Sequence, residues 1–195
     1  MSTYTPRKFA FGNLVGISPK QIDVHLKLYE GYVKNLNLLQ SVLDAYGHTT
    51  DEGGKYSLSE VRRRFGFEWN GMRMHEHYFA QWEGSSAPLT ADSSLGQALA
   101  AQYGSMDAWM VDFKTVGSLR GIGWAILSYD PAGKTFFNHW VSDHELGQLN
   151  STVTILALDL WEHAYMVDYT PAEKAKYIEA FFRNLNGEVV NKRFE

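Results

Sequence analysis

The chain has 195 residues, 45% of them hydrophobic and 14% aromatic, with a formal net charge of −4 from 22 acidic and 18 basic side chains. This is enough apolar material to bury a core and excludes a disordered chain, while the lack of any basic block argues against a nucleic-acid partner. With no cysteine, disulfides, thiolate metal sites and a cysteine nucleophile are excluded; a metal would rest on His, Asp, Glu or Tyr, donors that suit iron or manganese. The opening Met1-Ser2-Thr3-Tyr4-Thr5-Pro6-Arg7-Lys8 lacks the apolar run of a signal peptide, and no apolar stretch is long enough to span a membrane. A soluble cytoplasmic protein is expected.

Ser18-Pro19 reads as a cap and first turn, opening a long helix to about residue 46. Ile22, His25, Leu28, Tyr29, Tyr32, Val33 and Leu36 recur along it at helical spacing. The polar run from Gly47 to Gly54 reads as a loop. A second helix is expected from Ser57 or Ser59, with Glu60 placed for a capping box, through Val61, Phe65, Trp69, Met72 and Glu76 to about Trp82. Gly84-Ser85-Ser86-Ala87-Pro88 breaks the chain and divides it into a helical hairpin domain, 1–88, and an α/β domain, 89–195. Two short helices follow, over 94–103 and 105–117. Trp124 to Tyr129 and Lys134 to Val141 form a hairpin about the turn Asp130-Pro131-Ala132-Gly133, and Val153 to Leu158 is a third strand. Helical character is expected again over 162–168 and from Pro171 to about Leu185. The fold class is α+β: an antiparallel two-helix hairpin, then a three-stranded antiparallel sheet with flanking helices.

Asp159 and His163 carry the strongest chemical signal. Four residues apart, they would share one face of a helix and offer a metal ion two ligands. His25 lies on the inward stripe of the first helix. His75 and His77, two apart on the second, point in different directions, so at most one faces inward. His48 sits in a polar loop and His139 in a strand. His144, in Ser142-Asp143-His144-Glu145, reads by itself as a surface residue of a turn. As a set, one histidine from each long helix and the Asp159/His163 pair make three imidazoles and a carboxylate, a mononuclear site with room for a solvent ligand.

These residues, in order and with their flanks, resemble the iron/manganese superoxide dismutases. The resemblance rests on Asp159-x-Trp161-Glu162-His163-Ala164-Tyr165, Tyr32-Val33-x-Asn35-Leu36-Asn37 and Gly121-x-Gly123-Trp124, and runs from about Ile17 to Asn186. It implies dismutation of superoxide at one iron or manganese ion per subunit, with a lean to iron, held by His25, His77, Asp159 and His163. His77 is taken over His75 because Asn70 and His77 keep the family's spacing. The resemblance makes Tyr32 the gateway to the substrate funnel and lines the metal pocket with Trp124 and Trp161. It has Glu162 bond to His163 of the partner subunit in a homodimer. Two other readings stay open: another mononuclear non-haem iron enzyme, and a metal-free structural protein of the same fold.

The chain departs from the family at several positions. The interval from His25 to Tyr32 is one residue short, which implies a plain α-helix where the family has a π-bulge. Leu28 or Tyr29 replaces the funnel histidine, and Met166 its cross-dimer tyrosine partner. Where the family sets a glutamine against the bound solvent, Arg73 stands in the helix and His144 at the later position; His144, fifteen residues before Asp159, is assigned the glutamine's role. Gln81 and Gly187 stand where aromatics are usual, and Lys174 is the nearest match to the funnel arginine.

Overall fold

Ser18 starts the first helix as its pattern demands: Oγ accepts from Gln21 N at 3.1 Å, and Pro19 takes the first helical position. The structure, a computed structural model, describes residues 3–195; Met1 and Ser2, part of the segment read above for a signal peptide, lie outside the described residues. Helix α1 covers Pro19–Tyr46 and is regular between His25 and Tyr32, as the shortened interval implies. Helix α2 covers Glu52–Ala80 and starts earlier than Ser57. Asp51 caps it, Oδ1 accepting from Gly54 N at 2.7 Å, so Glu52, Gly53 and Gly54 form its first turn rather than a loop. The cap and the acidic Glu52 at the positive helix end offset the entropic cost of two glycines.

Helices α3 (Ser94–Tyr103) and α4 (Met106–Gly117) lead into the sheet. Strands β1 (Gly123–Asp130), β2 (Thr135–Ser142) and β3 (Val153–Asp159) pair antiparallel in the order β2-β1-β3. The central β1 is buried from Gly123 through Ser128, which explains its unbroken apolar run. Its register sets Trp124 opposite Asp159 on one side and Val141 on the other.

The helix expected over 162–168 is a single 3-10 turn, Glu162–Ala164. Leu160 N donates to Gly123 O at 2.8 Å and Trp161 N to Asp159 Oδ1 at 2.9 Å, which hold the chain extended up to Trp161. A second 3-10 turn, Pro171–Glu173, precedes α5 (Lys174–Arg183). A short α6, Gly187–Lys192, was not expected. At Gly187 a Cβ would stand 2.6 Å from backbone atoms of Leu89, so no side chain fits there, aromatic or otherwise. The core runs continuously from α1 and α2 through the sheet to α5. Among the described residues, no helix is long and apolar enough to cross a membrane.

Candidate metal centre

Four elements deliver one donor each to a single buried point. His25 comes from α1, His75 from α2, Asp159 from the end of β3 and His163 from the 3-10 turn; their donor atoms all lie within 4.8 Å of one another. The Nε2 atoms of His25, His163 and His75 stand 3.1, 3.3 and 3.5 Å from Asp159 Oδ2. His75 Nε2 is 3.3 Å from His163 Nε2. Asp159 and His163 meet across a strand end and a tight turn, not along one helix face; Asp159 Oδ1 is occupied by Trp161 N, which leaves Oδ2 for the centre.

His77 is not in this set, contrary to the spacing argument. The inward stripe of α2 passes through Gly71, Met72, His75, Tyr78 and Phe79, all buried, while His77 projects to the opposite side beside Arg73 and Arg193. The register built on His77 was therefore two residues out. Met72, His75 and Phe79, at helical spacing within α2, carried the signal that finds the right histidine. Arg73 and Gln81 leave the site for the same reason. Arg73 bonds Glu76 Oε2 at 2.6 Å, and Gln81 pairs with the backbone of Ala157 on β3. Lys174 donates to Leu119 O at 2.8 Å, away from the cluster.

Secondary contacts orient the donors. His75 Nδ1 donates to Gly71 O at 2.6 Å, which fixes the tautomer and turns the Nε2 lone pair inward. Gln21, buried and unnoticed in the sequence, ties the His163 turn to α1: Nε2 donates to His163 O at 2.6 Å and Oε1 accepts from Val167 N at 3.0 Å. Tyr177 donates to Asp159 O at 2.7 Å. Burial keeps His25 and His75 below the usual imidazole range, so both present neutral nitrogens. Burial alone would raise the Asp159 carboxyl, but the imidazoles of His163 and His25 hold it far below the usual range, so it is a carboxylate. Three imidazole nitrogens and one carboxylate oxygen fit iron or manganese.

His144 is fully buried, not a surface residue of its turn. Asp143 adopts φ 51°, and this left-handed residue reverses the chain directly after β2 and aims His144 inward. Asn70 Nδ2 holds its carbonyl at 2.8 Å. Trp124 Nε1 donates to His144 Nδ1 at 2.9 Å, and His144 Nε2 lies 2.7 Å from Tyr32 Oη. The Trp161 ring stacks on His144, with centroids 5.0 Å apart. Tyr32, Trp124, Trp161 and His144 thus form one wall against His75 and His163. Glu162 is exposed, and the His163 side chain keeps 16% of its surface. Tyr29 turns into the core to bond Glu76, while Leu28 and Met166 are exposed.

Residues 91–193 match the family model described as iron/manganese superoxide dismutases, C-terminal domain. The chain is similar to an iron superoxide dismutase of Cupriavidus metallidurans, 33% identical over 93% of this chain and 90% of the relative. It is 32% identical to an iron superoxide dismutase of Aquifex aeolicus, over 94% and 86%. It is 31% identical to a manganese superoxide dismutase of Halobacterium salinarum, over 89% and 82%.

Proposed function

The chain belongs to the iron/manganese superoxide dismutase family, and we propose that it converts two superoxide anions and two protons to dioxygen and hydrogen peroxide at one iron or manganese ion. The observation that carries this is the convergence of His25, His75, Asp159 and His163, donor atoms within 4.8 Å, in a nearly dry pocket. When bound, the ion supplies one-electron exchange, oxidising one superoxide and reducing the next. Iron is our preferred metal, in keeping with the slightly greater similarity to the two iron enzymes.

The protein relays protons drawn from solvent, which also reprotonate Tyr32 after each delivery, and sets their order. An indole only donates, so Trp124 fixes His144 Nδ1 as an acceptor. Burial pushes the His144 imidazole down to about 4. Neutral at physiological pH, it carries its proton on Nε2 and donates it to Tyr32 Oη. The phenol proton of Tyr32 is thereby free to turn toward the reacting oxygen. Burial, reinforced by Asp159 and Glu68, pushes that phenol well up, so Tyr32 keeps its proton until a peroxide accepts it. Trp124 and Trp161 exclude water around it.

A homodimer is part of this reading, with Glu162 bonding His163 of the partner subunit. What supports it is an exposed Glu162 sharing a cleft with Tyr165, Leu119 and Ile122, the last two exposed apolar side chains. The division at 88/89 accords with the family match from residue 91 and with the packing of α1 along α2. The cytoplasmic location rests on composition. Metal analysis with superoxide-consumption assays on iron-loaded and manganese-loaded protein tests the activity. No dismutation with either metal would refute it. Light scattering of E162A tests the dimer, a shift toward monomer being expected.

A further inference from the structure

Opposite the metal pocket, across α2, a cleft of about 460 Å³ gathers basic side chains from three separate elements. Arg7 comes from the N-terminal segment, Arg73 from α2, and Lys192 and Arg193 from the end of α6. Among the described residues lining the cleft, Glu76 and Glu83 oppose them, four positive charges against two negative. Arg7 pairs with Glu83, and Arg73 with Glu76 at 2.6 Å, so both carboxylates are already engaged. Lys192 and Arg193 have no acidic partner among the described residues.

Arg193 is the unusual member. Its guanidinium donates to Ile155 O at 2.9 Å, Gln81 Oε1 at 3.2 Å and His77 O at 2.8 Å. All three acceptors are neutral, so a half-buried cation is oriented but not neutralised. Burial is costly for a charge without a counter-ion. Here the surplus of two positive charges stands in a protein whose net charge is −4. The cleft is larger than one phosphate needs, and Ala80 and Val189 give it an apolar wall.

We propose that this cleft binds a doubly charged phosphate-class anion, a phosphate monoester or a pyrophosphate group, between Lys192 and Arg193 with Arg7 and Arg73 at the rim. Guanidinium forks and an ammonium group arriving from different directions suit a tetrahedral group with several acceptor oxygens better than a planar carboxylate. The neutral acceptors of Arg193 take both Nη1 hydrogens and one Nη2 hydrogen and fix the plane of the group, which leaves the Nε hydrogen and one Nη2 hydrogen as the pair for an anion. The site lies on the far face of α2 from His75 and has no part in the redox chemistry.

Isothermal titration of the metal-loaded protein with inorganic phosphate and with pyrophosphate, at ionic strength matched by sodium chloride, tests this. One-site binding is expected for pyrophosphate, with a rise in thermal midpoint. The Lys192 side chain is exposed and has no acidic partner among the described residues, so K192E should fold normally and bind roughly tenfold more weakly. K55E, the same charge change near the start of α2, should bind as the parent does. Three results would overturn the proposal: no signal beyond the chloride control, equal binding by K192E and the parent, or equal weakening by K55E and K192E. Citrate binding as tightly as pyrophosphate would overturn the phosphate assignment.

Discussion

In three of the four residues of the candidate metal centre a second atom is engaged within the protein. His75 Nδ1 is spent on Gly71 O, Asp159 Oδ1 on Trp161 N, and the His163 carbonyl on Gln21. This arrangement separates His75 from His77. H75A should lose metal and at least about 100-fold in activity, because one of four donors is gone. H77A should keep both metal and activity, as read by metal analysis beside a superoxide assay. Gly71 is held to glycine by the Tyr32 ring, 2.5 Å from where a Cβ would lie. G71A should displace Tyr32 from His144 and slow turnover by roughly 10-fold while metal content stays near normal. Metal loss in G71A would place the role of Gly71 at His75 instead.

At the level of the element, α1 was legible from its internal period and its capping Ser18, and the strands from short apolar runs bounded by turn residues. The start of α2 was not, because its glycines imitate a loop and only the Asp51 cap overrides them. D51A should cost about 1 kcal/mol, seen as a lower midpoint in thermal unfolding with activity per folded molecule unchanged. The turn after β3 was misread for another reason: Glu162 to Asp168 has helix-compatible residues, but Asp159 and Gly123 bind the backbone amides that would begin the helix. Gln81 shows a tertiary bond that no local pattern announces. It pairs with both backbone groups of Ala157, and Q81A would leave them buried and unpaired at a cost of about 2 kcal/mol or more, measurable by urea unfolding.

For the whole molecule, folding collects uncharged imidazoles in one dry place, and this ties stability to metal and to pH. Burial lowers His25, His75 and His144, the last to about 4, from the ordinary imidazole value of 6.5. In metal-free protein the unfolded chain takes up protons near pH 6.5 that the folded chain refuses until lower pH. Stability therefore falls as pH drops below 6.5, by up to about 1.4 kcal/mol per pH unit for each such group. Asp159 works at lower pH: held below the ordinary carboxyl value of 3.8, it stabilises the fold above that pH and loses this only in stronger acid. The urea midpoint of metal-free protein should thus be clearly lower at pH 5 than at pH 7.5, and metal should raise it at pH 7.5; equal midpoints at the two pH values would contradict the neutral burial. The amino-acid sequence by itself determined the fold class and marked His25, Asp159 and His163, because these follow from local period and spacing, while Tyr32 and His144 were singled out only through the resemblance to the family, carried by motifs in chain order. Only the tertiary structure decided that His75 and not His77 enters the centre, that His144 is buried against Tyr32, and that Arg193 stands in a cleft with no acidic partner among the described residues. The physical reason is the same in each case: period sets the faces of one element, but which face turns inward, and what it meets there, depends on elements far apart in the chain packing against one another.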